Sequence, residues 1–324
     1  MFVNNYIEPW TLSLSGAEYM LTLYSLVVAA LALLVGFIRA IVTRNEVGAR
    51  YRTTVVTAIA TTGTLALSYA FLILNFVLCY QPHDGRFTPT ALSALTFAPR
   101  FMEWSVSAPL LALQLLSVTA LMGAAARRAR VLTLGSVFLM IFFGFIGLFV
   151  FGGESQAQIL IFAAIGLAFW VVANVVIVRS VRASRGILTE EAQRLLRGAT
   201  AFFITSWIVY PLTYVAMIYL TGSVWATTMQ VIFSATDALV VLGLCGLFHR
   251  IAKLRTAEDV RAGIDVHGES IWIMSVKLSD AGAANEVYLA AGAEIHRSRS
   301  RPPTSTAIAT AVPEETSAHQ DRDE

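Results

Sequence analysis

The chain has 324 residues, 56% of them hydrophobic and only 14% charged, with a formal net charge of +2. Soluble domains carry about a quarter charged residues, so this chain cannot clothe a water-facing surface, and its main solvent is lipid. That composition excludes a secreted disulfide scaffold, a disordered regulator and a typical cytosolic enzyme, and so small a net charge does not point to nucleic acid. Cys79 and Cys245 both fall in apolar runs, which implies neither a metal cluster nor a disulfide framework. Met1 to Trp10 shows no basic start followed by an apolar run, so no cleaved leader is expected there.

Seven apolar runs lie near residues 20–42, 54–80, 99–123, 131–152, 157–179, 199–221 and 226–249. Each is long enough to cross a hydrocarbon core of about 30 Å, which takes roughly 20 helical residues. Backbone groups in lipid must be satisfied within the segment, and the runs lack the alternation of barrel strands. The predicted fold is therefore an all-α membrane protein, a seven-transmembrane-helix bundle crossing the cell (plasma or inner) membrane.

Basic residues orient it. Arg39, Arg44, Arg50 and Arg52 flank the first connection, Arg127, Arg128 and Arg130 the third. Arg179, Arg182, Arg185, Arg194 and Arg197 fill the fifth, and Arg250, Lys253 and Arg255 follow the last span. The opposite connections hold only Arg86 and Arg100, with Asp84 and Glu154. The positive-inside rule then puts the N-terminus outside and the C-terminus in the cytoplasm. The expected organisation is an extracellular N-terminus over 1–19, the bundle over 20–250, a mixed cytoplasmic segment over 251–295 and a disordered cytoplasmic tail over 296–324. Within the mixed segment, Ile271 and Ile273 alternating with Trp272 and Met274 predict a short strand or a surface-binding segment. The Arg297, Arg299, Arg301 cluster in the tail could bind a cytoplasmic partner, although a solvated tail is the commoner explanation. Residues 81–99, with Pro82, Gly85, Pro89 and Pro99, form the only sizeable outer connection, and no internal repeat is visible.

Carboxylates inside the spans are informative, because each costs at least about 2.5–3.5 kcal/mol at mid-membrane unless paired or hydrated. Two lie deep: Glu103 in span three and Asp237 in span seven. Arg100, Glu103, Ser107 and Gln114 follow at helical spacings and make one polar ridge facing the bundle interior. Span six carries Trp207, Tyr210 and Tyr214 at similar spacings, with Pro211 permitting a kink. An aromatic stripe alone is usually core packing, and a lone Asp237 could be a structural hydrogen-bonding group. Two inward carboxylates with an arginine are harder to explain that way.

These residues resemble the microbial rhodopsin family, of which bacteriorhodopsin is the familiar member. Arg100-Phe-Met-Glu-Trp-Ser-Val-Ser-Ala-Pro-Leu-Leu-Ala-Leu-Gln114 is similar to the family's third-helix motif. Trp207-Ile-Val-Tyr-Pro211 with Tyr214 resembles the sixth-helix wall of the retinal pocket, and Ser234-Ala-Thr-Asp237 the seventh-helix approach to the chromophore. The resemblance covers roughly residues 20–250. It implies a rhodopsin-like bundle with Glu103 as primary counterion or proton acceptor, Asp237 as second counterion and Arg100 beneath them. It further implies a ligand pocket lined by Tyr69, Trp104, Ser107, Trp207, Tyr210, Pro211, Tyr214 and Val241. Tyr69 would hydrogen-bond Asp237, and Tyr214 would replace a more usual tryptophan. Gln114 would stand at the cytoplasmic proton-donor place, where an amide neither holds nor releases a proton.

The departure from the family lies on span seven. Members attach retinal to a lysine one turn after the aspartate, and that position here is Val241. The two lysines, Lys253 and Lys277, lie beyond the membrane; Lys253 is sixteen residues past Asp237, about 24 Å along a helix. Arginine cannot substitute, because a Schiff base needs a neutral primary amine. No covalent cofactor is therefore expected, while retinal or another polyene could be held non-covalently. One negative charge of Glu103 and Asp237 would then lack a cation, which a protonated Glu103, water or a bound cation would relieve; a protonated Glu103 is the expectation.

The resulting expectation is a non-pumping sensor, regulatory or partner protein, similar in its missing lysine to the fungal opsin-related stress proteins. The alternatives are a photoreceptor or light-driven ion transporter binding retinal non-covalently, and a proton-coupled small-molecule transporter, although no pair of broken helices supports the latter. No Ser/His/Asp set, metal spacing or phosphate loop supports an enzyme. The expected partners are the lipid bilayer, a cytoplasmic partner of the tail and further copies of the chain in a homo-oligomer, with nucleic acid excluded.

Overall fold

The computed structural model describes residues 6–151 and 156–262, with four short strands beyond them. Its helices are α1 (Gly16–Val42), α2 (Arg52–Cys79), α3 (Ala98–Ser117), α4 (Gly123–Phe145), α5 (Gln156–Ala183), α6 (Glu190–Trp207), α7 (Val209–Tyr219) and α8 (Ser223–Arg261). Helices α6 and α7 are two halves of one rod interrupted at Ile208. Pro211 is the cause: it has no N–H to offer the Trp207 carbonyl, and its ring crowds that carbonyl. The ladder resumes with the Leu212 N–H on the Ile208 carbonyl, 3.2 Å apart. The described chain thus forms the seven rods that hydropathy predicts.

Six of those rods are long and apolar enough to cross a membrane. The exception is α3, which carries Arg100, Glu103 and Gln114; it packs between α2 and α4, and all three side chains are buried. Side chains such as Leu31, Val35, Leu67, Phe71, Val131 and Leu239 point outward and are exposed. Contiguous apolar surface of that kind suits lipid and not water. The polar residues that water-soluble helices show outside are found here inside.

Several predicted boundaries move: α4 begins at Gly123 and α6 at Glu190, earlier than expected, and two others show their physical cause. The third span, expected over 99–123, stops at Ser117. There the Ser117 and Thr119 hydroxyls bond the Gln114 and Leu116 carbonyls, and the Ala120 N–H is taken by the Ser184 hydroxyl. Local side-chain bonds of this kind compete with the helical ladder and end it. The bundle also does not end at 250, because α8 runs on to Arg261. Its last turns bury Ile251, Ala252, Arg255, Thr256, Ala257 and Asp259. Thr256 accepts the Gly48 N–H at 2.9 Å, Tyr51 donates to Asp259 at 2.8 Å and Arg255 donates to the Val118 carbonyl at 3.2 Å. The start of the expected mixed segment, through Arg261, is therefore a clamp on the connections after α1 and α3.

At the start of α1, Ser15 and Glu18 form a reciprocal capping box, which satisfies two of the orphan donors there. At the same end of the bundle the connection from α2 to α3 opens with a hairpin, β1 (Tyr80–His83) and β2 (Arg86–Pro89). Its turn residues Asp84 and Gly85 have φ of 45° and 75°, the conformation an Asp-Gly hairpin turn needs. Leu14 pairs with Phe87, whose ring stacks on Tyr19 with centroids 3.9 Å apart. Trp10 stacks on Phe149 at 4.8 Å, so the N-terminal stretch folds across this end. Phe149 belongs to a π-helical turn, Ile146–Val150, that closes α4.

The chain divides into two units, residues 1–269 and 270–324. In the second, β3 (Trp272–Ile273) pairs antiparallel with β4 (Val276–Lys277), where the alternation predicts a strand, and β5 (Glu286–Val287) with β6 (His296–Arg297). His296 and Arg297, the first residues of the expected tail, are thus in a strand, and the tail from 298 on lies outside the described residues.

Candidate functional site

Asp237, 1% exposed on α8, collects donors from three other helices. On Oδ2 it accepts from the Tyr69 hydroxyl of α2 at 2.7 Å and from an Arg100 terminal nitrogen of α3 at 3.1 Å. On Oδ1 it accepts from the Trp104 indole N–H at 3.1 Å and the Tyr210 hydroxyl of α7 at 2.7 Å. A carboxylate has about four acceptor positions, and all four are filled. A buried ion pair is tolerated only when its remaining lone pairs and protons are satisfied, and the two phenols and the indole do that.

Arg100 also bonds the Tyr69 hydroxyl, Ser234 and Gln230. Glu103, one turn on, differs sharply. It is 3% exposed, and among the described residues neither of its carboxyl oxygens has a hydrogen-bond partner. The Ser68 hydroxyl is the polar group beside it. Further along α3, the Gln114 amide donates to Thr61 at 3.3 Å. The expected polar ridge is real: Arg100, Glu103, Ser107 and Gln114 are all buried.

Against this cluster lies an apolar cavity of about 320 Å³. Trp104, Ser107, Trp207, Tyr210, Pro211, Tyr214 and Val241 of the expected pocket line it, together with Asp237. Tyr69, Arg100, Glu103 and Gln114 are not among its walls; Tyr69 and Arg100 sit behind Asp237 and reach the cavity only through it. Val241 is one turn past Asp237 and presents an aliphatic side chain. Tyr214 donates to the Gly144 carbonyl at 3.3 Å, tying α7 to α4. Among the described residues no lysine lines the cavity, and Lys253 is bonded to Glu46 in the connection after α1.

Several contributors are absent from the expected set, three of them instructive. Met140 of α4 and Trp170 of α5 form part of the wall, but in apolar runs nothing marks them as inward. Gln230 receives Arg100, and here a signal existed: it lies two helical turns before Asp237, on the same face of α8.

A membrane bundle of seven rods, with a central aromatic cavity ending on a buried arginine–carboxylate pair, is the architecture of a rhodopsin-like protein. The chain belongs to the bacteriorhodopsin-like protein family, whose pattern matches residues 20–252. No curated protein sequence matches it. Among solved structures it is similar to a thermophilic rhodopsin, at 21% identity and TM-score 0.69 over 76% of this chain and 98% of that one. Xanthorhodopsin, described as a light-driven ion pump with dual chromophore, matches at 19% identity and TM-score 0.70, again over 76% of this chain and 98% of that one. The rhodopsin of Exiguobacterium sibiricum matches at 20% identity and TM-score 0.59, over 73% of this chain and 98% of its own. The protein is thus a multi-pass membrane protein of the bacteriorhodopsin-like family. Members of this family bind retinal, typically through a lysine.

Proposed function

We propose that this protein is a non-pumping member of its family, a membrane sensor, regulatory or partner protein without a covalent chromophore. The observation that carries this reading is Val241 in the cavity wall, beside Asp237 and with no amine near it. A covalent link to an aldehyde needs a neutral primary amine, and an isopropyl group has none. The residues therefore fit a non-covalent polyene and do not fit a tethered one. Trp104, Trp207 and Tyr210 would hold such a ligand by packing, with the Ser107 hydroxyl as a polar contact. When bound, retinal would supply light absorption; the protein's own part is to bind, orient and shield it. A photoreceptor role with untethered retinal is the second reading, favoured by the retained aromatic cavity.

One further feature supports the absence of pumping: Gln114 carries an amide, which does not titrate. In this reading the arginine-rich end, with Arg44, Arg127, Arg182 and Arg194, faces the cytoplasm, and Glu103 and Asp237 occupy the family's counterion places.

The test is to purify the protein with all-trans retinal, record its absorption, and repeat with Val241→Lys. A visible band in the variant alone is the expected result. A visible band in the unsubstituted protein, with retinal still attached after denaturation and borohydride treatment, overturns the proposal.

A further inference from the structure

We infer that Gln230 is a positioning residue that holds Arg100 as the resident cation of Asp237, so that the site balances its charge without a ligand cation. A guanidinium has five N–H donors, and Arg100 makes five bonds. Nε donates to Gln230 Oε1 at 3.1 Å, and one terminal nitrogen donates to the same oxygen at 2.9 Å and to Ser234 Oγ at 3.0 Å. The other terminal nitrogen donates to the Tyr69 hydroxyl at 2.8 Å and to Asp237 at 3.1 Å. No donor is left for solvent, and Arg100 is 1% exposed.

Gln230, Ser234 and Asp237 lie at spacings of four and three, so α8 presents their acceptors as a ladder along one face. Gln230 supplies the rung that reaches Nε. Its own amide nitrogen is anchored on the Thr96 carbonyl at 3.1 Å, just before α3. That second bond orients the carboxamide, so that its oxygen faces the guanidinium. The Tyr69 and Phe233 rings lie 5.1 and 5.6 Å from the guanidinium carbon, an arrangement that favours a cation there. If Arg100 turned away from Asp237, buried acceptors on α8 and the Tyr69 oxygen would lose their donor at once, each at a cost. The arginine is therefore fixed and does not swing.

The consequence concerns ligand chemistry. With Arg100 and Asp237 mutually neutralised, the cavity favours a neutral apolar molecule over a cationic one. The latch itself rests only on the geometry around Arg100, and it stands or falls independently of whether retinal binds.

The experiment follows hydrogen exchange in the full chain, labelled with ¹⁵N-arginine and held in lipid bilayers. After transfer to D₂O, the Arg100 Nε–H signal, assigned by its absence in an Arg100→Gln variant, persists after those of exposed arginines such as Arg44 and Arg127 have gone. Gln230→Met keeps the side-chain length but removes the acceptor, and that signal then exchanges at least about tenfold faster. Gln230→Glu retains the acceptor and restores protection. A purely structural role for Gln230 would lower the unfolding temperature of the Met variant while leaving the signal protected, and that outcome overturns the inference. So does the absence of any protected Nε–H in the unsubstituted protein, a result that needs no variant to fold.

Discussion

Lys253 Nζ lies 2.8 Å from Glu46 Oε2, and His249 Nε2 lies 3.1 Å from the same oxygen. The one lysine of the bundle is thus spent on holding α8 to the connection after α1, far from the cavity. Burial alone would raise the Glu46 carboxyl, but its bonds to His249 and Lys253 outweigh that and bring it from 4.5 to about 2. A carboxyl lowered on folding stabilises the folded state above its unfolded value and loses that contribution as pH falls to its folded value. Thermal unfolding of the detergent-solubilised protein should therefore drop between about pH 4.5 and 2. Glu46→Gln should flatten the curve in that window; an unchanged pH profile in the variant removes Glu46 as its source.

Asp237 is the centre on which four donors converge, so its removal should be among the most damaging single changes. Asp237→Ala leaves the buried Arg100 charge without its partner, a loss of about 3–5 kcal/mol. Asp237→Asn retains shape and one acceptor and should cost less. Denaturant unfolding in detergent ranks the two, and equal stabilities would show that the ion pair is not what matters.

Glu103 is the converse case. A buried carboxylate without a donor is strongly disfavoured, so the neutral acid is expected at neutral pH. An infrared carboxylic C=O band should be present at that pH and vanish in Glu103→Gln. If the two spectra coincide there, Glu103 is ionised and a cation or water accompanies it.

Gly166 on α5 packs tightly against the backbone of α4. A Cβ added there would sit 3.0 Å from the Met140 carbonyl oxygen of α4, and backbone cannot move aside as a side chain can. Gly166→Ala should cost about 1–3 kcal/mol and part the α4–α5 wall of the cavity. Unfolding temperature reads the cost; no loss of stability would mean that the rods slide freely.

Much of the fold was legible because lipid imposes a harsh rule. A run such as 157–179 has no alternative to a spanning helix, and Arg100, Glu103 and Asp237 stand out because lipid penalises them. Helical spacing was enough to put Arg100, Glu103, Ser107 and Gln114 on one face. Less legible were features that depend on a partner far along the chain. Arg255 and Asp259 look like solvated charges until Val118, Arg50 and Tyr51 meet them. Trp170 and Met140 are as apolar as their lipid-facing neighbours, so nothing local says they turn inward. The Asp84-Gly85 turn was a local signal for a hairpin, whereas the bridge from Leu14 to Phe87 was not.

By itself, the sequence determined that the chain spans a membrane as seven rods, which three polar groups lie deep within it, and that an aliphatic Val241 follows Asp237 by one turn. These are properties of single side chains and of helical period, both written locally. Only the tertiary structure decided how the charges are shared: four donors converge on Asp237, while Glu103 has only the Ser68 hydroxyl beside it. That division depends on where α2, α3, α7 and α8 converge, and hydrogen bonds act over about 3 Å, a distance that the order of residues does not encode.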